Sequence, residues 1–96
     1  MNYVFSYGTL IEKFPQERIS AVLTANLELG SYGNYPALLV SKVSKSINGF
    51  LIELTDEQFK ESDRYEDYPQ LYYRRKMNVV LDDGSEVRAW VYILNE

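Results

Sequence analysis

The chain has 96 residues, 46% of them apolar, and a formal net charge of −4. That is enough for one folded domain with a real core, too little for two, and it disfavours nucleic-acid binding by phosphate neutralisation. Cysteine and histidine are both absent, which excludes disulfides, thiolate nucleophiles, zinc sites built on those residues and any triad that needs histidine.

In chain order, Tyr3 to Tyr7 is a short apolar run with Tyr3, Phe5 and Tyr7 on one face, and Gly8 ends it. Pro15 suits the first turn of a helix, where its missing N–H costs nothing, and Ile19, Val22 and Leu23 share a helical face, so the pattern predicts a helix across Pro15 to Thr24. Leu27, Leu29 and Tyr32 alternate like a strand. Tyr35 to Val40 follows, with Pro36 marking a turn or strand edge. The polar stretch Ser41 to Ser46 reads as a loop and Gly49 to Leu54 as another strand. Thr55-Asp56-Glu57-Gln58 is a capping box that predicts a helix to about Tyr65 or Glu66, which Pro69 prevents from going much further.

Tyr73 to Leu81 alternates with Tyr73, Arg75, Met77, Val79 and Leu81 on one face. Asp83-Gly84 is a hairpin signal, and Val87 to Leu94 returns with Val87, Ala89, Val91 and Ile93 on one face and Arg88, Trp90 and Tyr92 on the other. The short basic cluster Arg74-Arg75-Lys76 therefore splits across a strand. One domain over residues 1–96, α+β in class, with an antiparallel sheet and two helices, is the reading from the residues. No apolar run has transmembrane length and no signal-like segment opens the chain, so the expectation is a cytoplasmic protein that binds neither nucleic acid nor membrane.

If such a chain moves protons, the base has to be a carboxylate, a lysine or a tyrosine. The second helix offers one. Glu66 lies seven residues beyond Phe59, almost eclipsed with it down the helix axis. If Phe59 faces the core and the helix lasts, Glu66 must be ion-paired (Arg74 or Arg75), hydrated in a cleft, or raised in pKa by desolvation, and the last describes a poised acid or base. If the helix stops early, Glu66 is simply solvated. Gly8 is open to two compatible readings, a tight turn and a wall of a pocket. Arg75 is open to pairing with Asp63 or Glu66, or to holding a substrate carboxylate.

These landmarks together resemble the γ-glutamylcyclotransferase-like family, which includes the AIG2-like proteins and the γ-glutamylamine cyclotransferases. Phe5-Ser6-Tyr7-Gly8-Thr9-Leu10, Tyr35-Pro36-Ala37-Leu38, Asn48-Gly49-Phe50-Leu51, Asp63-Arg64-Tyr65-Glu66, Tyr73-Arg74-Arg75 and Ala89-Trp90-Val91-Tyr92 follow the family's order of segments. The resemblance implies a small mixed β-barrel of about five to six strands with two short helices outside it. It implies cyclisation of a γ-glutamyl group to 5-oxoproline with release of the attached amine. In that scheme Glu66 is the acid/base and Tyr7, Gly8, Thr9 and Leu10 form the floor of the substrate site; the strand face they share makes Tyr73 and Arg75 further substrate-binding candidates. No metal or cofactor is implied. Phe50-Leu51 replaces the family's G-E-V-type start of a strand, and two further residues depart from the pattern: Ser62 stands where leucine is usual, and Asp67 where glycine is usual. They motivate the alternative of a non-catalytic ligand-binding domain that keeps the pocket.

Overall fold

A computed structural model describes residues 1–96. The elements are β1 (Asn2–Ser6), a 3-10 turn (Thr9–Lys13), β2 (Ile19–Tyr32), β3 (Tyr35–Leu54), α1 (Asp56–Tyr65), β4 (Tyr72–Leu81) and β5 (Glu86–Leu94). The five strands close into a barrel in the order β1-β3-β2-β4-β5. Every neighbouring pair is antiparallel except β1 and β5, which meet in parallel with Val4 opposite Trp90. The result is the mixed barrel with helical structure outside it, containing one α-helix and a 3-10 turn rather than two helices.

Alternation along the strands divides the apolar residues between two cores. Phe5, Leu23, Leu38, Leu51, Val79, Val91 and Ile93 fill the barrel interior. Val4, Ile52, Leu54, Tyr72, Tyr92 and Leu94 point outward and are covered by Leu10, Ile11 and Phe14 of the 3-10 segment and by Phe59 of α1. Strand β5 shows the division most simply: Ala89, Val91 and Ile93 face inward, while Trp90 and Tyr92 lie under the outer cover.

Two expectations are corrected. Ile19 to Thr24 is not a helix but the first part of β2, with Ala21 and Leu23 buried and Ser20 and Thr24 exposed. The 3.6-residue spacing of Ile19, Val22 and Leu23 is real, but this segment pairs on both sides, Ala21 with Gly49 of β3 and with Leu81 of β4. Two ladders outweigh a helical preference that Ile19, Val22 and Thr24, all β-branched, only weakly support. Ser41 to Ser46 is not a loop but the middle of a single 20-residue β3. Its polarity reflects an exposed bend, where the β2–β3 register shifts between Ala25–Lys45 and Leu27–Val40. The capping box forms as expected: Thr55 Oγ1 accepts from the Gln58 N–H, and the Gln58 side chain accepts from the Thr55 N–H. No helix is long and apolar enough to cross a membrane.

Candidate active site

Strand β1 ends at Ser6, and the chain leaves the barrel through Tyr7 and Gly8 into the 3-10 turn. Beside this exit lies a cavity of about 270 Å³. Residues 5–10 form one wall; Tyr32, Tyr35 and Pro36 of the β2–β3 hairpin form a second. Tyr65 and Glu66 at the end of α1, with Leu71, Tyr72 and Tyr92, complete the enclosure. No lysine or arginine lines it, and Glu66 is its only carboxyl group.

The position of Glu66 follows from how α1 stops. Tyr65 is the last helical residue and Glu66 the C-cap. Asp67 takes φ 52°, the left-handed region. The Tyr68 N–H then donates to the Asp63 carbonyl at 2.9 Å and the Asp67 N–H to the Arg64 carbonyl at 3.1 Å. That pair of bonds is a Schellman motif, which reverses the chain at Asp67. The Glu66 N–H donates to the Ser62 carbonyl at 3.0 Å, so the helical backbone persists far enough to carry Glu66 to the cavity. Burial pushes its carboxyl pKa from 4.5 to about 7. Neither Arg74 nor Arg75 pairs with it. Arg74 instead grips Asp63 through two bonds of 2.9 and 3.0 Å.

Around Glu66 the groups are phenolic. Burial, then the Glu66 charge, then Tyr72 raise the Tyr7 hydroxyl pKa, so it stays protonated, and it donates to the Tyr92 carbonyl at 2.8 Å. Tyr72 is raised by burial and then by Glu66. Ser6 Oγ donates to the Gly8 carbonyl at 3.5 Å, and Thr9 Oγ1 shares a 2.8 Å bond with Tyr65 Oη. A Cβ on Gly8 would sit 3.4 Å from Pro36, so the loop packs close against the hairpin wall.

Of the residues singled out in the sequence, Tyr7, Gly8, Thr9, Leu10 and Glu66 come together around this cavity. Tyr73 and Arg75 do not. Tyr73 packs toward the barrel interior and Arg75 is exposed. The arginine that pairs with Asp63 is Arg74, on the outward face of β4. Sequence reasoning missed Tyr32, Tyr35 and Tyr72 as wall residues. Their signal was there for Tyr72, which neighbours Tyr73 on the opposite strand face. No group of three or more His, Cys, Asp and Glu side chains is arranged to hold a metal ion.

The fold is that of AIG2-like proteins. An Arabidopsis thaliana protein superposes with a TM-score of 0.79 at 24% identity, over 97% of this chain and 61% of its own. An AIG2-like protein of Mus musculus superposes with a TM-score of 0.72 at 23% identity, over 97% of this chain and 76% of its own. In sequence, a protein of Methanocaldococcus jannaschii that carries the provisional name gamma-glutamylcyclotransferase is 30% identical over 100% of this chain and 87% of its own length. The chain belongs to the family described as Gamma-glutamyl cyclotransferase, AIG2-like, whose profile matches residues 4–96.

Proposed function

We propose that this protein is a γ-glutamyl (amine) cyclotransferase in which Glu66 is the general acid/base. The observation that carries the reading is that Glu66, with a pKa near 7, shares one cavity with the Tyr7–Leu10 loop. A base poised near neutral pH can both take and return a proton. No cysteine, serine or histidine nucleophile is needed, because the substrate supplies its own α-amine.

The reaction balances within the substrate. The α-amine attacks the γ-carbonyl carbon, forming the new C–N bond of the five-membered ring, and Glu66 takes the proton that the amine loses. The tetrahedral intermediate collapses as the original γ-amide C–N bond breaks, and Glu66-COOH returns the proton to the leaving nitrogen. The products are 5-oxoproline and a free amine or amino acid. Gly8, Thr9 and Leu10 N–H groups are the donors for the substrate carboxylate or the developing oxyanion; Gly8 carries no side-chain cap that competes for them. The protonated Tyr7 and Tyr72 phenols sit beside the carboxylate, and their high pKa values leave Glu66 as the group that titrates in the working range.

The test is 5-oxoproline release from a panel of γ-glutamyl amines and γ-glutamyl amino acids. Glu66→Gln is expected to lower kcat at least 100-fold while circular dichroism stays that of the wild type. The kcat/KM of the wild type should rise with pH through about 7 as Glu66 ionises. A fully active Glu66→Gln variant overturns the assignment. The non-catalytic alternative predicts ligand-induced NMR shifts at Gly8 and Glu66 without turnover across the panel. The two departures that motivate it have structural accounts that leave the cavity intact: Asp67 forms the exposed helix stop, and Ser62 is bonded to Tyr92.

A further inference from the structure

We propose that Tyr92 is a positioning residue that sets the placement of Glu66 against the Tyr7 wall of the cavity. Glu66 is the cap of α1, and its backbone is tied to the helix by the bond to the Ser62 carbonyl. Where the carboxylate sits therefore depends on what holds Ser62 and Asp63. Both are held by one phenol. Tyr92 Oη donates to Asp63 Oδ1 at 2.6 Å and lies 2.7 Å from Ser62 Oγ. Its single proton goes to Asp63, so the Ser62 hydroxyl is the donor in the second bond. Ser62 is 0% exposed, so its hydroxyl has no water to turn to. Arg74 completes the network from β4, bonded to both Asp63 oxygens and stacked over Phe59, Tyr68 and Trp90 at 4.6, 4.2 and 4.6 Å.

The same residue holds the opposite wall. The main-chain carbonyl of Tyr92 accepts the Tyr7 hydroxyl at 2.8 Å. One residue of β5 thus fixes the end of α1 through its side chain and the end of β1 through its backbone. Ser62 gains a role in this arrangement: an apolar residue there would leave the phenol held on one side only. The proposal rests on the acid/base reading of Glu66 for its kinetic consequence, while the geometric claim stands on its own.

Tyr92→Phe in the full chain keeps the ring and the main-chain bond to Tyr7 and deletes both side-chain bonds. Because it leaves the Ser62 hydroxyl unpartnered, Ser62→Ala/Tyr92→Phe is the companion variant, and it is read in place of the single variant if that one folds poorly. On the best γ-glutamyl substrate of the wild type, both are expected to lower kcat about tenfold with KM within twofold, since small misplacements of a reacting group cost rate. A 13C-carboxyl NMR titration should show the Glu66 midpoint falling toward the ordinary carboxylate range as the end of α1 loosens and water reaches it. The charged and titratable groups facing the network, Asp63, Arg74 and Tyr68, and the Tyr7, Tyr32, Tyr35, Tyr65 and Tyr72 phenols that share the cavity with Glu66 are unchanged in both variants. Variants that melt lower but keep the wild-type kcat and Glu66 midpoint overturn the proposal. If the wild type turns over no γ-glutamyl compound, the enzymatic reading fails and the NMR midpoint alone decides: a fall supports positioning, an unchanged value overturns it.

Discussion

Asp67 and Glu66 are adjacent, and the backbone treats them oppositely. Asp67 occupies the left-handed region at φ 52° on the exposed side of the helix stop, a position where a β-carbon is strained and glycine is favoured. Its charge also opposes the negative end of α1. Asp67→Gly should therefore raise the unfolding free energy by ~0.5–1 kcal/mol, less any entropy lost to the more flexible unfolded chain, as measured by urea denaturation. Asp67→Val should lower it by more. Glu66 carries its cost in solvation instead. Its folded pKa, about 7, lies above the ordinary 4.5, so the folded state holds a proton that the unfolded state has released between those values. Stability from this group is fully present below about pH 4.5 and is lost as pH rises through about 7. The shift corresponds to at most ~3 kcal/mol, and about 1–2 after solvent screening through the cavity mouth. Urea denaturation at pH 4 and pH 8 should show the wild type losing that much relative to Glu66→Gln.

At the scale of elements, α1 depends on a strong start and a cross-strand clamp at its end. Ten residues are too few to hold a helix by propensity. The capping box supplies the start, and the Arg74 guanidinium, set over three rings and forked onto Asp63, supplies the clamp. Arg74→Lys keeps the charge but loses the fork and the stacking, so thermal unfolding should show a loss of ~1–3 kcal/mol. Much of this element was legible beforehand: the Thr55–Gln58 pattern gave the helix start, and the seven-residue spacing from Phe59 carried Glu66 to the buried side. What could not be read was which arginine meets Asp63. Arg74 and Arg75 point to opposite faces of β4, and which face lies under α1 is a property of the closed barrel. The same limit explains Ile19 to Thr24. Its spacing satisfies a helix and a strand alike, and only the partners on either side, Gly49 and Leu81 opposite Ala21, decide between them. The place of Glu66 at the cavity was legible because a misplaced charge is a local signal. Tyr32 and Tyr35 were not, because a tyrosine beside a turn has no local feature that marks it as a wall.

At the scale of the whole molecule, the strand that leads into the cavity wall is packed tightly where it meets β3. Strand β3 lies between β1 and β2, and at Gly49 the three backbones converge: Gly49 faces Ala21 of β2, while Phe50 faces Ser6 of β1. A Cβ built on Gly49 would lie 2.5 Å from the Ser6 carbonyl oxygen and 2.6 Å from Phe5 Cζ. One of those contacts is backbone, which cannot swing aside as a flexible side chain would. Gly49→Ala therefore has to push β1 outward or displace Phe5 from the barrel interior, an overpacking cost of ~1–3 kcal/mol or more. The consequence reaches the site, because Phe5 and Ser6 are also cavity wall and lead directly into Tyr7 and Gly8. Amide hydrogen exchange should show the loss of protection concentrated along the β1–β3 ladder, with the β4–β5 hairpin nearly unchanged. Turnover should fall even at temperatures where the variant stays folded, because the loop facing Glu66 has lost the strand that aims it. Equal loss of protection in every strand would instead mean that the barrel opens as one unit, with closure at Gly49 no more local than any other contact.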